Sequence, residues 1–347
     1  MNLFFSHLAG QEKFKKNIEG LWREGRIPHT MIFYGEEGLG KTTAALDLAA
    51  NLTNSLPMDE DFSQTGFSAD LWKDVAKWDK ASEKTLLLTG AKESVWYLRP
   101  IGTGLRIDQF RAFLKEMAAF DDTPKVCIID EAQTMKDEVA NSLLKTLEEP
   151  PAQVYFILIT HDIHALLPTI LSRGEKFGFF PLSFDVYRNL LMADMEKYAL
   201  PSGMSMEMAY DLSVGNPGVT MDLCKDDEPE PDRAMRFWET VTWSSMSFST
   251  LFSWKLGERK DFLRLLRWIL LVGRDIMVMS DVGDISFARC NQVEERLRKV
   301  APYWGEGRAQ KALDVLQTAE LACRRNISVK NIWDMIAIRL SHIKRGI

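Results

Sequence analysis

Gly35, Gly38, Gly40, Lys41 and Thr42, within the stretch IFYGEEGLGKTTAALDLA, stand at the spacing G-x-x-x-x-G-K-T. Glycines so spaced let backbone N–H groups close around phosphate oxygens, the lysine reaches the β and γ oxygens, and the hydroxyl takes a Mg2+ position. Glu36, Glu37 and Leu39 between them, with Thr43 behind, complete the segment expected to hold ATP. A second chemical pair follows the apolar run of KVCIIDEA, where Asp130 and Glu131 emerge at the end of an expected strand. An aspartate there holds Mg2+ together with Thr42, and an adjacent carboxylate, Glu131, can orient and deprotonate a water. Acidic residues are common at strand ends, so this pair takes its meaning from the glycine loop upstream.

Such residues need a strand before the loop and a helix after it, and the pattern supplies both. Met31 to Tyr34 reads as a short buried strand, and Ala45, Leu48, Ala49 and Leu52 fall at helical spacing. The loop then sits at a helix N-terminus, where free N–H groups and the dipole attract anions. Further helices are expected over Gln11 to Arg23, Ile107 to Ala119 and Asp137 to Leu147, the last ended by Pro150-Pro151. Further strands are expected over Val95 to Leu98, Lys125 to Ile129 and Val154 to Thr160. Residues 55–92 resist assignment, apart from helical character over Phe67 to Lys80 and a possible strand over Thr85 to Thr89. This alternation predicts an α/β unit with a mostly parallel sheet.

After Phe180-Pro181 the strand signal stops and helical patterns fill the chain. A small helical region, about residues 183–226, runs into the acidic, proline-bearing DDEPEPD (Asp226 to Asp232), a linker candidate because it has no apolar face to bury. Beyond it, Phe262, Leu265, Leu266, Ile269, Val272 and Ile276 make one stripe; Ile332, Met335, Ile336, Leu340 and Ile343 make another, with Ser328 as a candidate N-cap. The fold class expected is therefore α/β plus all-α. Three domains follow: a P-loop nucleotide-binding domain over 1–182, a small helical domain over 183–230 and a larger helical domain over 231–347.

At 347 residues and 46% hydrophobic content the chain has ample material for buried cores. Its net charge of −6 and lack of a long Lys/Arg run give no basis for strong autonomous DNA binding. Cys127, Cys224, Cys290 and Cys323 lie far apart with no C-x-x-C, which suggests neither a disulfide framework nor a zinc cluster and points to a reducing cytoplasm. Leu3 to Phe5 is too short an apolar run for a signal peptide, and the apolar stretch near Trp268 to Val272 is cut by Arg267 and Arg274, so no membrane span is expected.

HLAGQEKFKKNIEGLWREGRIPHTMIFYGEEGLGKTTAALDLA, KVCIIDEAQTMKDEVANSLLKTLEEPPAQVYFILIT and LLPTILSRG, in that order, resemble the AAA+ module of bacterial DNA polymerase III clamp-loader subunits over about residues 5–183. LSVGNPGVTMDL and RRNISVKNIWDMIAIRL extend the resemblance more weakly into a lid and a collar, most like delta-prime. The resemblance implies that Thr160 is a sensor of the γ-phosphate and that Arg173 is an arginine finger offered to a neighbour's ATP. It implies a hetero-oligomeric ring with gamma/tau and delta subunits, working with the sliding clamp on primed DNA.

Three departures mark this sequence. Lids of this family carry an arginine after the G-x-P-G turn, whereas Val219 follows Gly215, Pro217 and Gly218; valine cannot hydrogen-bond phosphate. The family's cysteine zinc module is missing from residues 54–126, so no zinc is expected. Gly174 also replaces the usual cysteine after the finger, without evident chemical cost. The expectation is a delta-prime-like subunit that binds ATP with weak or absent turnover of its own. A gamma/tau-type motor subunit is the alternative within the family, opposed by Val219 and by the chain end at Ile347. A stand-alone P-loop enzyme such as a small-molecule kinase is the alternative outside it, opposed by the lack of an arginine-rich lid motif.

Overall fold

The computed structural model describes residues 5, 7–53, 86–88, 95–100, 124–150, 153–195, 198–201, 204–224, 231–243, 254, 256–305, 307–324 and 327–345, with Gly104, Leu105, Ile107, Phe110, Arg111, Phe113 and Leu114 singly. The expected helical character of Phe67 to Lys80 lies outside the described residues. The chain divides into two compact units, Met1–Leu190 with Asn216–Gly218, and Leu191–Gly215 with Val219–Ile347.

The first unit is built on a six-stranded sheet in the order β2-β3-β4-β5-β1-β6. Its strands are β1 Thr30–Tyr34, β2 Leu86–Leu88, β3 Val95–Leu98, β4 Lys125–Ile129, β5 Val154–Thr160 and β6 Glu175–Gly178. Every neighbouring pair is parallel except β2 with β3. The central strands are apolar between their end residues, such as Thr30, Lys125 and Thr160, because both faces are covered. Met31, Phe33, Val126, Ile128, Ile157 and Ile159 join one core, and the alternate residues Ile32, Cys127, Ile129, Phe156 and Leu158 join the other. Helices α1 (Glu12–Arg23) and α2 (Lys41–Leu52) cover the first face with Phe14, Ile18, Ala45, Leu48 and Ala49. Helix α3 (Asp137–Glu148) covers the second with Val139, Ala140, Leu143 and Leu147, beside Phe110 and Phe113. The short helix α4 (Pro168–Leu171) then leads into β6.

The expected strands and the helices over Gln11 to Arg23 and Asp137 to Leu147 recur with boundaries shifted by a residue or so, most of the expected helix over Ile107 to Ala119 lies outside the described residues, and Leu86–Leu88 forms a strand inside the span considered possible. Helix α1 starts at Glu12 because Gln11 adopts a left-handed conformation, φ 58. Its side chain is used elsewhere: the amide donates to Leu39 O at 3.2 Å and to Phe180 O at 2.8 Å. Strand β6 has no counterpart in the sequence reading. It is short and opens on Glu175 and Lys176; Phe177 is its buried apolar residue, which is how an edge strand reads.

Register places the carboxyl ends of the strands together. Tyr34 lies opposite Thr160 and Leu98 opposite Ile129, so the residues that follow them share one edge of the sheet. That edge carries the candidate site, as open α/β sheets require.

Helix α5 (Phe184–Ala193) bridges the sequence of the two units. The second unit contains α6 (Met206–Ser213), most of α7 (Pro217–Leu223), α8 (Pro231–Trp243), α9 (Arg259–Asp281), α10 (Glu294–Val300), α11 (Arg308–Arg324) and α12 (Val329–Arg345). Pro231 and Asp232, the end of the acidic linker candidate, already belong to α8. Its core gathers Trp238, Phe237, Trp268, Trp304 and Trp333 around the α9 stripe, every member of which is buried. In the α12 stripe Ile332, Ile336 and Leu340 are buried, with Met335 and Ile343 partly so. No described helix is long and apolar enough to cross a membrane.

Asp275 breaks the α9 pattern: it is fully buried between Val272 and Ile276. Its carboxylate accepts the N–H groups of Arg289 at 2.9 Å and Cys290 at 2.8 Å, and Arg274 Nη1 lies 3.2 Å from it. Burial pushes its pKa up, and the two backbone donors pull it back. Asp275→Ala removes the acceptor from two inward-facing N–H groups, so it is expected to cost about 2–4 kcal/mol, read as a lower urea midpoint. An unchanged midpoint would show that water or another group replaces the carboxylate at no cost.

Candidate nucleotide site and a surface arginine

The glycine loop leaves β1 after Tyr34 and enters α2 at Lys41. Gly38 and Gly40 both have φ 88, a conformation that side chains disfavour. A Cβ on Gly38 would also come within 2.7 Å of the Gly218 backbone. The loop is stitched to that turn by Asn216 Nδ2 donating to Glu37 O at 2.8 Å and Gly218 N–H donating to Gly38 O at 3.2 Å. Asn216 is buried, and sequence reading passed over it although it lies inside the G-N-P-G that was singled out.

Lys41 is buried, and its ammonium donates to Gly35 O and Glu36 O, both at 2.6 Å. Burial pulls its pKa down to about 8, while the carboxylates of Asp130, Glu37 and Glu36 push the other way. The cation thus stands within the loop, held by its backbone carbonyls. Glu36 and Glu37 are exposed, Leu39 is buried beneath the loop, and Thr42 and Thr43 are half-buried on the first turn of α2. The residues present fit a polyphosphate: a positive-φ glycine loop, a helix N-terminus and a desolvated ammonium converge.

Asp130 follows β4, its N–H donating to Leu98 O at 2.8 Å and its Oδ1 accepting the N–H of Glu131 at 2.9 Å. Its Oδ2 accepts the hydroxyl of Tyr97. Thr42 and Asp130 both neighbour the Tyr97 hydroxyl. Burial raises the Tyr97 pKa well above its ordinary value, which keeps the phenol a donor. Glu131 occupies the left-handed region at φ 50, and Arg99 Nε lies 3.7 Å from its carboxylate. A non-glycine residue held there is strained, and such strain concentrates at functional sites.

Tyr97 and Arg99 were not singled out in VWYLRP, yet alternation carried the signal. Tyr97 pairs with Ile128 in the parallel β3–β4 register, so it lies on the same side of the sheet as Asp130, and Arg99 follows at the carboxyl end of β3.

Thr160 ends β5, buried, with its hydroxyl 2.8 Å from Gln133 Oε1 and 2.9 Å from Asp162 O, and accepting the Asp162 N–H at 3.1 Å. It shares the sheet edge with Asp130 and the glycine loop. Arg173 does not. It precedes β6, which starts opposite Met31, so it lies at the amino end of β1. At about 3.3 Å per residue, the strand puts roughly 15 Å between Arg173 and the glycine loop. Its side chain is 33% exposed, with Nη2 donating to Glu148 Oε1 at 2.7 Å and Nη1 to Thr169 O at 2.9 Å.

A parallel sheet with a glycine loop entering a helix after one strand, and an Asp-Glu pair after another, defines a P-loop α/β protein of the AAA+ class. A family model described as DNA polymerase III, delta subunit, matches residues 10–183. The chain belongs to that family, the AAA+ clamp-loader subunits related to gamma, tau and delta-prime. It is similar to DNA polymerase III subunit tau of Bacillus subtilis, 32% identical over 180 residues, which are 50% of this chain and 29% of that one. It is also similar to subunit gamma/tau of Mycoplasma genitalium, 30% identical over 214 residues, covering 61% of this chain and 33% of that one. The chain spans about a third of the length of these relatives. A solved DNA polymerase III, gamma subunit-related protein from Thermotoga maritima aligns with 94% of this chain and 99% of its own at 18% identity, TM-score 0.42. AAA+ members of the family use a nucleotide and Mg2+ in general.

Proposed function

We propose that this chain is a delta-prime-like clamp-loader subunit that binds ATP at Gly35–Thr42 and offers Arg173 in trans to a neighbouring ATPase subunit. What carries the reading is the position of Arg173: an exposed guanidinium at the sheet edge opposite its own phosphate loop. A guanidinium set against a transferring phosphoryl group offsets the charge of the transition state. Supplied by a neighbour, it makes turnover conditional on assembly. In this role Thr160 reports on the γ-phosphate, Glu131 orients a water, and Thr42 and Asp130 hold Mg2+. Residues 1–182 act as the nucleotide-binding domain, 183–230 as the lid and 231–347 as the collar that joins gamma/tau and delta subunits in a cytoplasmic hetero-oligomer. That assembly opens the sliding clamp and places it on primed DNA.

Val219, which cannot contact a phosphate, supports weak turnover by the chain alone. The motor reading keeps one observation in its favour, the identity with proteins named gamma/tau. Purified chain turning over ATP at about one per second or faster, in the ordinary enzyme range, would establish it. The direct test of class is affinity purification of the tagged full chain from its own cells. Recovery of other clamp-loader subunits and the sliding clamp is expected; a monomer that turns over a small-molecule acceptor would support the stand-alone enzyme instead.

A further inference from the structure

Each carbonyl of the glycine loop from Gly35 to Gly40 accepts a hydrogen bond, so the orientation of every peptide in it is held. The Lys41 ammonium takes Gly35 O and Glu36 O, the Asn216 side-chain amide takes Glu37 O at 2.8 Å, and the Gly218 N–H takes Gly38 O at 3.2 Å. Gln11 Nε2 donates to Leu39 O at 3.2 Å, and the Ala44 N–H donates to Gly40 O at 2.9 Å as the first bond of α2. A planar trans peptide sets its C=O and N–H in opposite directions. The N–H groups of Gly38, Leu39, Gly40 and Lys41 are therefore turned away from these donors, and backbone N–H groups are what such a loop offers to phosphate.

Lys41 and α2 belong to the loop motif itself, whereas Gln11 and Asn216 lie far from it in sequence. Both amides are fixed in direction by a second partner. Gln11 Oε1 accepts the Phe180 N–H at 3.2 Å while its Nε2 also donates to Phe180 O at 2.8 Å, so a reversed amide would face donor with donor and acceptor with acceptor. Asn216 is buried, belongs to the same compact unit as the loop, and accepts the Gly218 N–H on Oδ1 at 3.0 Å while Nδ2 reaches Glu37. A Cβ on Gly38 would come within 2.6 Å of that Oδ1, so the turn and the loop are in direct backbone contact. Gln11 also holds a left-handed backbone, φ 58, which a residue with a side chain keeps only where its surroundings over-determine it.

We propose that Gln11 and Asn216 are positioning residues that hold the glycine loop of the free chain in its anion-accepting form. The proposal rests on the reading of Gly35–Thr42 as a nucleotide cradle. Neither amide touches phosphate in this role; each acts through the loop carbonyl it holds. When the Lys41 ammonium transfers its bonds to phosphate, the two amides stay on Glu37 O and Leu39 O. Without one of them the Glu37–Gly38 or the Leu39–Gly40 peptide is free to rotate, the competent loop is only a fraction of the free chain, and apparent affinity falls by that fraction.

The test uses the purified full chain and a fluorescent ATP analogue in MgCl2, mixed by stopped flow. Asn216→Ala, and Gln11→Met, which keeps the side-chain length and removes the amide, are each expected to lower the association rate constant about tenfold, the scale of one buried hydrogen bond. The dissociation rate constant is expected to stay within about twofold of wild type, because bound phosphate then orders the loop itself. A merely structural role would lower the thermal midpoint and leave both rate constants of the folded variants at wild-type values; that result overturns the proposal and leaves the nucleotide reading standing. Weaker binding carried wholly by faster dissociation also overturns it. Should Asn216→Ala not fold, Gln11→Met, at a half-buried position, decides alone. No binding by wild type overturns the nucleotide reading, and the proposal falls with it.

Discussion

Arg173→Ala is expected to lower ATP turnover at the neighbouring subunit's site by about 10³-fold, the lower end of what an arginine finger contributes. The measurement is DNA-stimulated hydrolysis in the reconstituted complex, with the other motor sites silenced by substitution of their loop lysines so that one site is read. The chain itself should be untouched. Arg173 is exposed and its pair with Glu148 is solvent-facing, and such pairs contribute at most about 1 kcal/mol. Arg173→Lys should rescue little, because a lysine keeps the charge but lacks the planar fork that meets two phosphate oxygens. Turnover equal to wild type in both variants would remove the proposed role.

Lys41→Ala carries the second large effect. An ammonium with two 2.6 Å hydrogen bonds inside the glycine loop is expected to transfer them to phosphate oxygens. Charge-assisted bonds of this kind are the strong ones, and losing about 2.7 kcal/mol corresponds to roughly a 100-fold weaker dissociation constant. The fold should tolerate the change, since the substitution removes a buried cation whose desolvation already opposes its charge. Assembly with partner subunits should survive as well if the chain works as a stator. Unaltered binding of the ATP analogue by the variant would mean that the loop does not hold phosphate.

The central sheet was legible because its strands are buried on both faces and so are written as unbroken apolar runs between turn residues. Phe33 and Ile128 announce themselves; β6 does not, since Glu175 and Lys176 lie at an exposed edge and Phe177 alone is buried there among apolar residues of any length of run. The glycine loop was legible for a different reason: backbone conformations that need glycine leave glycine in the sequence, as at Gly38 and Gly40. Side chains that act by position leave no such trace. Tyr97 looks like a core aromatic in a strand, and only the register with β4 brings its hydroxyl to Asp130. Asn216 reads as a turn residue until the fold sets it against Glu37. Asp275 sits on the apolar face of α9 as an apparent exception, and its reason, the Arg289–Cys290 backbone, lies in the loop before α10.

The most direct test of the account is the structure of the assembled complex with an ATP analogue bound at the neighbouring subunit. The account predicts that Arg173 has left Glu148 and that its guanidinium lies about 3 Å from the γ-phosphate oxygens of the adjoining protomer, at charge-assisted hydrogen-bond distance. Arg173 still paired with Glu148 and facing solvent, with no subunit against it, would contradict it.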